Sequence, residues 1–205
     1  MGLLRALLVV VLACTAATPA PAAQHVIVAL GDSLTAGLGV SAEEAYPALL
    51  EARLRREGFD YRVVNAGVSG DTSAGGLRRL DWTLRLSPAV VIVALGANDG
   101  LRGQPTEALR GNLTRIIERA RGAGARVLLA GMRLPPNYGD EYARAFAAVY
   151  PGVARATGVP LAPFLLEGVG GNPRLNQADG IHPTAEGQRR IAEQLWPYLE
   201  PLLEK

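Results

Sequence analysis

Short, unbroken apolar runs alternate along this chain with longer stretches in which apolar side chains recur every three or four residues. Residues 26–30 form a continuous apolar run with β-branched members, the mark of a strand buried on both faces. In residues 43–57, Tyr46, Leu49, Leu50 and Leu54 fall on one helical stripe, and Gly58 stands where a helix stops. Residues 61–65 read as a second strand. Residues 72–86 read as a helix whose start is weakened by Gly75 and Gly76. Residues 89–95 are the clearest strand, with Val90, Val91, Ile92 and Val93 consecutive. Then come a helix over 106–121, a strand over 126–130, a helix over 141–157 interrupted at Pro151 and Gly152, a short strand over 159–162 and a closing helix over 184–203. Strand followed by helix, five times, predicts an α/β domain: an open parallel sheet with helices on both faces. One long irregular stretch, 163–183, is left over, and a loop of that length inside a compact domain is usually functional.

The N-terminus does not fit this pattern. Arg5 precedes an uncharged apolar run over 6–17, too short for a bilayer span, which needs roughly 20 residues. The small residues Ala20, Pro21, Ala22 and Ala23 follow, so 1–23 is expected to be a signal peptide cleaved after Ala22 or Ala23. Val11, Leu12, Ala13 and Cys14 loosely resemble a lipoprotein box, and that alternative would put a lipid anchor on Cys14. Either way the chain is expected to be exported, without an integral membrane span.

Composition narrows the chemistry. The 21 basic and 19 acidic residues nearly cancel and are spread along the chain, which argues against a nucleic-acid partner. One cysteine and two histidines exclude a disulfide framework and the common zinc sites, so no metal is expected. Neither a G-x-x-x-x-G-K-[ST] nor a G-x-G-x-x-G pattern occurs, so no nucleotide cofactor is indicated. G-x-S-x-G is absent too, against the usual α/β-hydrolase elbow.

In a doubly wound sheet, ligands bind beyond the carboxyl ends of the strands. The residues found there are Gly31-Asp32-Ser33-Leu34 after the first strand, Asn65 to Thr72 with Gly67 after the second, and Gly96-Ala97-Asn98-Asp99 after the third. The long loop ends in Asp179-Gly180-Ile181-His182. These are the parts of an acyl-transfer site. Ser33 is a nucleophile that needs a base, His182 is that base, and Asp179 orients it. The backbone N–H groups of Ser33 and Gly67 and the side-chain amide of Asn98 are the candidate oxyanion donors. Each has a plainer reading: Ser33 as a helix cap, Gly67 and Asn98 as turn residues, His182 as a structural histidine. Asp32, Asp71 and Asp99 are read as capping groups, Trp82 and Trp196 as packing residues, and Tyr138 as the tyrosine able to see substrate. It is the coincidence of four such groups at one rim that favours catalysis.

In this order the blocks resemble the GDSL, or SGNH, hydrolase family over the whole chain from Val26 to the last helix. The resemblance implies a flavodoxin-like three-layer α/β/α sandwich with a five-stranded parallel sheet, a Ser33–Asp179–His182 triad and an oxyanion hole of Ser33, Gly67 and Asn98. Asn98-Asp99-Gly100-Leu101-Arg102-Gly103 and Arg133-Leu134-Pro135-Pro136-Asn137-Tyr138-Gly139 are similar to the family's bacterial thioesterase, lysophospholipase and arylesterase branch. That implies a small-molecule ester or lipid substrate, acyl contacts from Leu101, Leu134 and Pro135, a mobile loop over 96–103 and a monomer. An acetyl esterase acting on carbohydrate is the alternative.

Overall fold

The computed structural model describes residues 24–205; the expectations for the signal peptide and for Cys14 lie outside the described residues. Five strands, β1 (His25–Gly31), β2 (Tyr61–Gly67), β3 (Val90–Ala94), β4 (Arg126–Ala130) and β5 (Leu161–Ala162), form one sheet in the order β2-β1-β3-β4-β5. Every neighbouring pair is parallel. The helices are α1 (Ser33–Ala36), α2 (Tyr46–Arg56), α3 (Ser73–Arg78), α4 (Leu80–Leu84), α5 (Ala97–Leu101), α6 (Thr106–Gly122), α7 (Asp140–Thr157) and α8 (Ala185–Leu199). Helix α2 packs on β2 and α8; α6 packs on α3, α7 and β4. The expected α/β/α sandwich is therefore observed. Burial on both faces explains why the central strands are almost wholly apolar: all five residues of β3 are inaccessible.

Several boundaries differ from the sequence reading. The helix expected over 72–86 is two helices, broken at Arg79, which leaves the helical conformation at φ −97° and ψ 7°. The helix expected from residue 43 starts at Tyr46, after a 3-10 turn over Ala42–Glu44. Conversely, α7 runs unbroken through Pro151 and Gly152. Phe146, Val149, Tyr150 and Val153 bury one continuous stripe across that point, so packing outweighs the carbonyl left without its helical donor. Helix α8 ends at Leu199 and gives way to a 3-10 turn, Glu200–Leu202, containing Pro201. Trp196 is a packing residue as expected, but Trp82 is 47% exposed.

The sheet positions the site through its order. Chain direction across the sheet reverses between β1 and β3, so the loops leaving these two strands diverge and open a crevice at their carboxyl ends. Ser33 follows β1 directly, and Asn98 follows β3.

Candidate active site

Helix α1 begins the moment β1 ends, and two close approaches allow it. A Cβ on Gly31 would lie 1.9 Å from Thr35 Oγ1, and one on Gly67 would lie 2.2 Å from the backbone nitrogen of Ala36. Asp32 caps the short helix, accepting the Leu34 N–H at 3.0 Å. Buried Gln188 ties the turn to its surroundings, donating to the Leu34 carbonyl at 3.1 Å and accepting the Tyr46 N–H at 2.9 Å. Ser33 is thereby fixed at the first helical position.

The loop over 163–183 carries its own framework. Asn176 and Pro183 form an antiparallel bridge, and the Gln177 N–H donates to the His182 carbonyl at 2.7 Å. At its tip, Asp179 Oδ1 accepts the backbone N–H groups of Ile181 and His182 at 2.9 and 3.0 Å. Asp179 Oδ2 lies 2.7 Å from His182 Nδ1, and His182 Nε2 lies 2.9 Å from Ser33 Oγ. The His182 N–H, then the imidazole, then the Ile181 N–H hold the Asp179 carboxyl well below the usual carboxylate range. An ionised Asp179 accepts a hydrogen bond from Nδ1–H, which leaves Nε2 as the acceptor facing the serine hydroxyl. The arrangement can take a proton from Ser33 and return it to a leaving group.

Asn98 sits in α5, not in a loop. The stretch expected to be a mobile loop over 96–103 is mostly this short helix, and hydrogen bonds fasten it to residues 70–73. Asn98 Nδ2 donates to the Asp71 carbonyl at 2.9 Å, Arg102 Nη2 to the Gly70 carbonyl at 2.9 Å, and the Ser73 N–H to Asp99 Oδ2 at 2.8 Å. Asp99 thus has the capping role expected of it. Asn98 Nδ2 also lies 3.4 Å from Asp32 Oδ2. Burial pushes the Asp32 carboxyl up to about 6, opposed by the Leu34 N–H and by the nearby His182.

The geometry corrects the expectation for Gly67. Strand β2 lies at the edge of the sheet, and alternate N–H groups point to opposite sides. Val68 N–H turns inward to the Gly31 carbonyl, so Gly67 N–H turns outward, where it donates to Asn65 Oδ1 at 2.9 Å. Its lack of a side chain serves the approach of α1. Three residues later, Gly70 occupies a tight turn closed by Asp71 N–H donating to the Val68 carbonyl at 3.0 Å. Its φ of +78° suits glycine, and its N–H donates to no acceptor among the described residues. The sequence signal was present in the G-D-T that follows the second strand, but only the alternation of the edge strand separates the two glycines.

Ser33, Asn98 and His182 share the wall of a cavity of about 430 Å³. Leu101, Leu134 and Pro135 line it, as do Leu34, Met132, Pro136, Phe164, Leu166 and Ile181. Tyr138 does not line it; its hydroxyl donates to the Leu101 carbonyl at 3.2 Å.

The sequence pattern of the GDSL-like Lipase/Acylhydrolase family matches residues 29–190. The chain belongs to this family. It is 51% identical over 183 residues to Esterase TesA of Pseudomonas aeruginosa, covering 89% of this chain and 91% of that protein. It is 44% identical over 183 residues to Thioesterase 1/protease 1/lysophospholipase L1 of Escherichia coli strain K12, covering 89% of this chain and 86% of that protein. A crystal structure of TesA superposes with a TM-score of 0.85 at 51% identity, covering 87% of this chain and all of that one. This GDSL enzyme is accordingly a serine hydrolase acting on esters. Among the described residues, no group of three or more His, Cys, Asp and Glu side chains is placed to hold a metal, and no helix is long and apolar enough to cross a membrane.

Proposed function

We propose that the enzyme hydrolyses carboxylic esters of apolar acids through an acyl-enzyme on Ser33. The observation that carries the proposal is the unbroken line of hydrogen bonds from Ser33 Oγ to His182 Nε2 at 2.9 Å and from His182 Nδ1 to Asp179 Oδ2 at 2.7 Å. Ser33 Oγ attacks the ester carbonyl as its proton passes to His182. The oxyanion accepts bonds from the Ser33 N–H, the Asn98 amide and the Gly70 N–H, which takes the place first assigned to Gly67. Each such donor is worth roughly 3–4 kcal/mol in the barrier. The imidazolium then protonates the departing alcohol, and a water activated by the same imidazole releases the acid.

The apolar lining of the groove supports acyl chains as the recognised group, with Leu101, Leu134 and Pro135 among their contacts. Aryl esters, lysophospholipids and fatty-acyl thioesters share that feature; an acetylated carbohydrate would leave most of the lining without a partner. A series of nitrophenyl esters from acetyl to palmitoyl separates these readings. Turnover that rises beyond acetyl supports the groove's role, and turnover confined to acetyl defeats it.

The family resemblance implies a monomer, and sedimentation at micromolar concentration tests this. Residues 1–23 direct export, leaving 24–205 as the hydrolase domain, with Cys14 as the anchor if the lipoprotein route is used. Intact mass of the exported protein discriminates cleavage near Ala22 or Ala23, a lipidated Cys14, and a retained Met1 that would refute export by either route.

A further inference from the structure

We propose that Arg79 is a positioning residue for this reaction, holding the turn that bears Ser33 and the turn that meets Asn98 in fixed relation. The inference rests on Ser33 and Asn98 acting as proposed above. Arg79 lies at the break between α3 and α4, and its side chain reaches the carboxyl ends of β1 and β2. There its guanidinium meets three separate segments. Nη2 donates to the Gly31 carbonyl at 2.8 Å, Nη1 to the Ala66 carbonyl at 2.7 Å and Nε to Asp71 Oδ2 at 2.7 Å. The two side chains are largely shielded, Arg79 being 21% and Asp71 12% exposed.

Two of these acceptors border the chemistry. The Gly31 carbonyl belongs to the peptide joining β1 to Asp32, one residue before Ser33, and it also accepts the Val68 N–H at 3.1 Å. Asp71 follows the Gly70 turn, and its own carbonyl accepts the Asn98 amide at 2.9 Å. A line of polar contacts therefore runs from the peptide before the nucleophile, through Arg79 and Asp71, to Asn98. The carboxylate is wedged in place: a Cβ on Gly75 would fall 1.6 Å from Asp71 Oδ1, so only glycine leaves it room. A planar guanidinium presents several N–H groups at fixed angles and satisfies three acceptors at once, whereas a lysine ammonium on a flexible stem cannot match that fork.

Arg79→Met keeps much of the stem and removes every donor. Displacing reacting groups by about 1 Å costs on the order of 100-fold in rate. The expected result is a kcat, per Ser33 titrated with a fluorophosphonate, about 100-fold below wild type, with KM on a nitrophenyl ester within about threefold, because Arg79 does not line the groove. Arg79→Lys should recover part of the loss. Asp71→Asn, which keeps the shape and removes the charge, should lose about 10-fold in the same parameter. A purely structural role would lower the melting temperature and the titratable fraction while leaving kcat per titrated site unchanged. A kcat per titrated site within about threefold of wild type in folded Arg79→Met, or in Asp71→Asn if Arg79→Met does not fold, overturns the proposal. Failure of the fluorophosphonate to modify Ser33 in the wild-type enzyme would overturn the underlying reading, and this inference with it, before any Arg79 variant is measured.

Discussion

Replacing Asp179 by asparagine and by alanine separates the two things its carboxylate does. Asp179 Oδ1 holds the loop by accepting two backbone N–H groups, and Oδ2 accepts the imidazole N–H. In Asp179→Asn the amide oxygen keeps the first set of bonds. The amide nitrogen then faces His182 Nδ1 and donates to it, so the imidazole carries its proton on Nε2 and can no longer accept one from Ser33. Inverting the tautomer in this way costs about 10³ to 10⁴ in kcat, roughly 4–5 kcal/mol of barrier. In Asp179→Ala the tautomer is unconstrained. The loss there is the attraction between carboxylate and imidazolium, about 1 to 4 kcal/mol at 4 Å as the effective dielectric falls from water's to that of a protein surface. The Asp179 side chain is 46% exposed, which favours the lower half of that range, and about 2 kcal/mol corresponds to roughly 30-fold. The asparagine variant is therefore expected to be slower than the alanine variant although it preserves more of the loop. Burst-normalised kcat on a nitrophenyl ester, with melting temperatures for both variants, measures this. An asparagine variant faster than alanine, or within about tenfold of wild type, would refute the tautomer argument.

Three other substitutions probe separate parts of the account. Asn98→Ala removes one oxyanion donor and should lower kcat by about 10² to 10³ with little change in KM, measured on the same ester. Asp32→Asn keeps the α1 cap and removes a buried acid whose folded pKa, about 6, exceeds its unfolded value of 3.8. The folded state holds that proton more tightly than the unfolded chain, so wild-type stability falls as pH rises from about 4 to 6, by an amount on the order of 3 kcal/mol. Urea titrations from pH 4 to 8 should show this slope flattened in the variant, and a slope of unchanged size would contradict it. Gly67→Ala places a methyl carbon against α1 backbone and should cost stability on the order of 1–3 kcal/mol or more by chemical denaturation; an unchanged midpoint would contradict the packing role given to this glycine.

The sheet was legible because its strands are buried on both faces and therefore read as unbroken apolar runs. Residues 126–130 match β4, and 106–121 match α6 to one residue. What escaped was structure too short to show a period. Helices α1 and α5, four and five residues long, carry Ser33 and Asn98, yet neither completes two turns. The break at Arg79 escaped as well; the groups its side chain meets there are strand ends far away in sequence. Ser33, His182 and Asp179 could be read from their places after strands and at the end of the long loop, and the structure brings these three together. Gly67 and Gly70 could not be told apart, since the difference lies in which way an edge-strand N–H points. Phe164 and Leu166 reach the groove from a loop whose path no periodicity describes.

Fluorophosphonate modification followed by peptide mapping is the most direct examination of the whole scheme. The expected result is one phosphonyl group per chain, carried on Ser33, accumulating in proportion to lost esterase activity and absent from Ser33→Ala. Full modification of Ser33 with activity retained, or inactivation with the adduct on another residue, would contradict it.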